Sequence, residues 1–122
     1  MASLAGHWTL RGCGYWAVEE RQTGHFVGGV GLWSPEGWPE LELGYWIVPA
    51  IQGKGYASEA AARARDYAFG ALGAETLVSY IHPDNQPSIG LAERLGARHD
   101  GMVELGTHGP HCVYRYPNPV AP

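Results

Sequence analysis

The sequence predicts an α/β (α+β) domain whose elements run β-β-β-α-β-α-β-β. Three observations predict it. Residues 40–48 place Leu41, Leu43, Tyr45 and Ile47 on one face in a two-residue period, residues 57–72 carry small apolar side chains at helical spacing, and a glycine-rich turn joins the two. A chain of 122 residues, 45% hydrophobic and 16% charged, has the length and composition of one globular domain, placed here at 1–122. It shows no internal repeat, low-complexity tract or linker.

Each element follows from local composition. Tyr15 to Glu20 (YWAVEE) has strand character, and Gln22, Thr23 and Gly24 form a turn into a second strand, His25 to Trp33. Glycines at 28, 29 and 31 weaken that strand, so neighbours on both sides must support it. Ser34 to Pro39 is a loop by its proline and glycine content. In Glu40 to Val48, Leu41, Leu43, Tyr45 and Ile47 point to one face and Glu42, Gly44, Trp46 and Val48 to the other; Pro49 ends the run. Ala60, Ala61, Ala64, Tyr67, Ala68, Ala71 and Leu72 mark the apolar stripe of the helix over 57–72, with Gly73 as its cap. Thr76 to Ile81 is a short apolar strand, and His82 to Pro87 is a loop. Ser88 to Leu95 is a short helix closed by Gly96. Arg98 to Leu105 and Cys112 to Tyr116 are two strands joined through Gly106 to Pro110.

Bulk properties remove several function classes. A net charge of −4 argues against non-specific nucleic-acid binding, which calls for a basic surface. No run approaches the roughly 20 apolar residues of a membrane helix, and the first 14 residues lack a basic region followed by an apolar core. A cytoplasmic protein is the expectation, with Cys13 and Cys112 as reduced thiols in preference to a disulfide. His108 and His111 lie in a glycine–proline turn with no third ligand, so no metal is expected.

The turn between the best strand and the best helix carries the chemistry. Gln52, Gly53, Lys54, Gly55, Tyr56 and Ala57 bring bare backbone N–H groups together with the unpaired amides and positive dipole end of a helix. That combination suits a diphosphate. Glycines at 53 and 55 let phosphate oxygens approach the backbone, and Lys54 adds a mobile positive charge. The plain alternative is a loop that only turns the chain. A Walker loop is excluded because no Gly-Lys-Ser/Thr follows, and a Rossmann fingerprint because the spacing fails.

This stretch resembles the Gln/Arg-x-x-Gly-x-Gly/Ala pyrophosphate motif of the GNAT superfamily of N-acetyltransferases. Residues 43–48 (LGYWIV) look like that family's fourth strand, and residues 57–60 (ASEA) like the start of its third helix. Asn85 with Ser88, and Glu93 to Gly96 (ERLG), are similar to its Asn-x-x-Ser and Glu-Lys/Arg-Leu-Gly segments. The resemblance spans about Gly6 to Tyr116 and is nearest to the branch of the ribosomal-protein-alanine N-acetyltransferases. It implies a mixed, mostly antiparallel sheet flanked by helices, with acetyl-CoA as co-substrate. Backbone groups of Ile47 and Val48 would pair with the pantetheine amides, Asn85 would hydrogen-bond the pantetheine, and Ser88 would lie near the sulfur. Asn85 can equally form an Asx turn or a helix cap.

The implied reaction is direct attack of an amine on the thioester in a ternary complex, with an oxyanion held by N–H donors near Ile47. Glu42 is the nominated base, directly or through a water, with Glu40 as fallback; a solvated strand carboxylate is the plain alternative. Ser88 is the nominated acid, against a plain role as helix N-cap. Where many members place a tyrosine acid this chain has Ala92, and Tyr114 and Tyr116 are too distant to substitute by motif. Trp33, Trp38 and Trp46 line an acceptor pocket or pack in the core.

A complete member opens with a strand and two helices. Here Ser3 to Arg11 resembles only the tail of the second helix. The expectation is a sheet with an unpaired edge and an uncovered apolar face, closed by a second copy in a homodimer. Three functions stay open. They are an acetyl-CoA-dependent N-acetyltransferase acting on a protein N-terminus or small amine, a catalytically weak coenzyme A-binding module, and an interaction protein that keeps the scaffold alone.

Overall fold

The computed structural model describes residues 2–8, 14–20, 23, 25–33, 40–47 and 55–119. Its elements are β1 (Ala2–Trp8), β2 (Gly14–Glu20), β3 (Phe26–Trp33), β4 (Glu42–Ile47), α1 (Tyr56–Gly70), β5 (Val78–Ile81), α2 (Gln86–Arg94), β6 (Arg98–Glu104) and β7 (Pro110–Arg115). The strands form a seven-stranded sheet in the order β1-β2-β3-β4-β5-β7-β6, antiparallel throughout except where β4 meets β5. The mixed, mostly antiparallel sheet with helices is the architecture the sequence predicts.

One element differs. The segment expected to be a helix tail forms β1 over 2–8, paired residue by residue with β2 from Ala2–Glu20 to Trp8–Gly14; residues 9–11 lie outside the described residues. Gly6 in the middle of the segment disfavours a helix, and the edge of β2 offers a row of backbone partners. The expected bare edge of β2 is therefore filled.

The β3–β4 register places Val30 beside Tyr45 and Leu32 beside Leu43 on one face of the sheet. Val18, Val30, Leu32 and Leu43 are buried there against Ala60, Ala61, Ala64 and Ala68 of α1. Small side chains let the helix lie close to the strands, and each large apolar residue buried this way contributes about 1.5–3 kcal/mol. The opposite face carries Gly29, Gly31, Gly44, Trp33 and Trp46. α1 begins at Gly55, which has φ +80°, and ends near Gly73 (φ +64°), where the Ala74 N–H returns to the Ala68 carbonyl at 2.9 Å. α2 begins two residues earlier than the sequence predicts. Pro87 fits the first turn, where a missing N–H costs no intrahelical bond, and Asn85 caps the helix.

Candidate functional site

Among the described residues, strands β4 and β5 share one bridge, Glu42 with Val78, held by the Val78 N–H to the Leu41 carbonyl at 3.2 Å. Beyond it lies a cleft of about 310 Å³ lined by Glu42 to Tyr45 on one strand, Ser79 to His82 on the other, and Asn85, Ser88 and His111. The nominated base and acid, together with one nominated cofactor contact, thus share one cavity.

Glu42 is half-buried, and its Oε2 accepts the Tyr80 N–H at 3.2 Å, which orients the carboxylate across the cleft. Asn85 is exposed at the head of α2, where its Oδ1 accepts the Ser88 N–H at 3.3 Å. The cap of this helix is therefore Asn85, and the plain role considered for Ser88 falls to it. The Ser88 carbonyl accepts the Tyr45 hydroxyl at 2.9 Å, fastening α2 to β4. Burial pushes the Tyr45 phenol well above its ordinary range, with Tyr116 adding to the effect, so Tyr45 acts as a neutral donor. Glu40, the fallback base, is instead engaged by the Arg115 guanidinium at 2.6 and 2.9 Å, which holds its carboxyl below the usual range.

The floor of the cleft holds residues that motif reasoning missed. Ser79 is 2% exposed; its hydroxyl donates to the Leu43 carbonyl at 2.6 Å and lies 2.8 Å from the Tyr116 hydroxyl. A serine inside the apolar run TLVSYI was the available signal, since a buried hydroxyl needs a partner. His82 and His111 meet edge to face with ring centroids 6.0 Å apart at the rim. Among the described residues, no group of three His, Cys, Asp or Glu side chains is placed to hold a metal ion.

The nominated cofactor residues fall in two sets. Val48, Gln52, Gly53 and Lys54 lie outside the described residues. Ile47 closes β4, opposite Gly28 of β3. Gly55 caps the start of α1, where Tyr56 and Ala57 follow; among the described residues, a Cβ built on Gly55 meets nothing within 4 Å. A second groove, of about 490 Å³, is lined by Gly29, Gly31, Gly44, Trp33, Trp46 and Glu42 among others. Glu42 thus borders both cavities.

Residues 1–98 match the family model described as an acetyltransferase (GNAT) domain. The chain is similar to the N-acetyltransferase YoaA of Bacillus subtilis (strain 168), 29% identical over 89 residues, covering 72% of this chain and 50% of that protein. It superposes on the crystal structure of the acetyltransferase from Agrobacterium tumefaciens str. C58 with TM-score 0.79 and 38% identity, covering 87% of this chain and 61% of that one. The ribosomal-protein-S5-alanine acetyltransferase of Vibrio fischeri has the same fold, at TM-score 0.77 and 20% identity over 90% of this chain and 64% of its own. The chain spans 50% to 60% of the length of the first curated relatives it matches.

Proposed function

The chain belongs to the acetyltransferase (GNAT) family, and from that premise we propose that it transfers an acetyl group from acetyl-CoA to a primary amine by direct attack in a ternary complex. The observation that carries this reading is the parting of β4 and β5 after one bridge, with Glu42 on one wall and Asn85 and Ser88 on the other. Two parallel strands that stop pairing offer backbone groups to an extended amide chain, which is what a pantetheine arm provides.

In this proposal the diphosphate sits on Gln52, Gly53, Lys54, Gly55, Tyr56 and Ala57 at the start of α1, and Ile47 and Val48 pair with the arm. With Oδ1 engaged as the helix cap, the Asn85 Nδ2 is the half of the amide that meets a pantetheine carbonyl. The amine, protonated in water, is drawn towards Glu42 past the indole faces of Trp33 and Trp46. Glu42 takes one proton, directly or through a water. The nitrogen then bonds the acyl carbon, the C–S bond breaks, and the second nitrogen proton passes to Ser88 as the Ser88 hydroxyl delivers its own proton to the departing thiolate. A protein N-terminus or a small molecule can supply the amine. A cytoplasmic location, compatible with the buried free thiol of Cys112, belongs to the same proposal. So does a homodimer, now motivated by the position of β1 at the end of the sheet's strand order. A stable monomer in sedimentation at micromolar concentration removes the dimer.

The test combines heat stability with free-thiol release, using acetyl-CoA and a panel of amines. Stabilisation with thiol release supports the transferase; stabilisation alone supports a coenzyme A-binding module, and neither effect supports a scaffold protein. Glu42→Gln is expected to lower kcat by about 10²–10⁴-fold while acetyl-CoA still stabilises the protein. Gly55→Leu is expected to abolish that stabilisation.

A further inference from the structure

Parallel pairing has a rule that β4 and β5 begin and then break. From the bridge of Glu42 with Val78, the Val78 N–H bonds the Leu41 carbonyl, and the next bond in that direction joins the Tyr80 N–H to the Leu43 carbonyl. Both of those groups are engaged elsewhere. The Leu43 carbonyl takes the Ser79 hydroxyl at 2.6 Å, and the Tyr80 N–H goes to Glu42 Oε2 at 3.2 Å. Each half of the displaced ladder bond is met by a side chain from the opposite strand.

The hydroxyl proton of Ser79 is committed, because a carbonyl oxygen only accepts. Tyr116, 2.8 Å away, is therefore the donor to Ser79 Oγ. Ser79 and Tyr116 are both buried, and Tyr116 also hydrogen-bonds Tyr45, so the three hydroxyls form one connected set. We infer that Ser79 is a positioning residue: it braces the cleft open and, by keeping the Tyr80 N–H away from Leu43, holds the Glu42 carboxylate in its working orientation. This rests on the reading of Glu42 as the base.

Removing the hydroxyl leaves the Leu43 carbonyl buried without its partner. The nearest remedy is the displaced ladder bond itself, which closes the cleft and strips Glu42 of its donor. Ser79→Thr keeps the hydroxyl; Tyr116→Phe removes the outer link together with the hydrogen bond between Tyr116 and Tyr45.

The test compares ligand-free crystal structures of Ser79→Ala and Ser79→Thr with steady-state kinetics. Ser79→Ala is expected to show the Tyr80 N–H on the Leu43 carbonyl. Its kcat should fall about tenfold to hundredfold, the range for a lost hydrogen bond to a charged group, and its KM for acetyl-CoA should rise. Ser79→Thr should keep the open cleft and stay within about threefold of the parent, and Tyr116→Phe should fall between the two. If Ser79→Ala does not fold, Ser79→Cys, with its weak donor, takes its place. An unchanged cleft in the alanine variant overturns the brace, as do equal losses in the alanine and threonine variants, which mark mere packing. A closed cleft in Ser79→Ala alongside a parent protein that fails to bind acetyl-CoA supports the brace and refutes the transferase reading.

Discussion

The two faces of the β3–β4 pair, built from neighbouring residues of the same strands, are used in opposite ways. On one, Val30, Leu32 and Leu43 disappear beneath the alanines of α1. On the other, Gly29, Gly31 and Gly44 form a floor on which Trp46 remains 54% exposed and Trp33 39% exposed. The buried face is filled by large side chains against small ones from the helix. The open face reverses this, with small residues in the strands and large ones lying across them. Glu42 stands on the open face, so the strand that anchors the core also delivers the carboxylate to the cleft. Packing and the proposed chemistry are divided by the pleat of a single strand.

The largest break of this division comes from the buried side. Leu43→Ala is expected to cost about 2–5 kcal/mol, read by urea denaturation. A smaller effect is expected on the open face. A Cβ at Gly29 would come within 2.9 Å of the Trp46 indole nitrogen. Because that ring is exposed it can swing aside, so Gly29→Ala should cost below about 1 kcal/mol while shifting tryptophan fluorescence. A cost as large as that of Leu43→Ala would mean that the open face is packed like the core.

The smallest effect concerns the rim at the other end of the sheet, where Arg115 joins Glu40 and Asp100. The guanidinium holds Glu40 below its ordinary value of about 4.5. The carboxylate form is therefore favoured by folding. Its contribution is present above that ordinary value and is lost as pH falls through the lower folded value. The pair is partly exposed, so Glu40→Gln should cost no more than about 1 kcal/mol at neutral pH. It should also flatten the acid limb of a stability-against-pH curve. An unchanged acid limb would remove this assignment.

Local signals explain what was legible. The alternation from Leu41 to Trp46 placed the side chains of Glu42 to Trp46 on their observed faces, because the period of a strand is written in consecutive residues. The small apolar stripe from Ala60 to Ala68 located α1 for the same reason. The first segment was misread because seven residues containing Gly6 and His7 show no clear period, and only the partner strand makes them extended. The cleft was legible as a resemblance, through Asn85, Ser88 and the glycine turn. Its geometry was not. That β4 and β5 keep one bridge, and that Ser79 and Tyr116 meet 37 positions apart, are facts of register and long-range contact. The turn residues Val48, Gln52, Gly53 and Lys54 lie outside the described residues, so the ligand-stability measurements bear on them directly.

The lone bridge between β4 and β5 also has a meaning for folding. α1 packs on β1, β3 and β4, whereas α2 packs on β5 and β7, so the chain divides at that seam into two consecutive stretches, each with its own helix. Side chains span the seam, in one shared core cluster and in the Tyr45–Ser88 bond, while the backbone junction is short, and amide exchange measured on either side reports whether the later stretch opens without the earlier one. A molecule bound in the proposed cleft would touch both stretches, and the expected outcome is raised protection on either side of the junction.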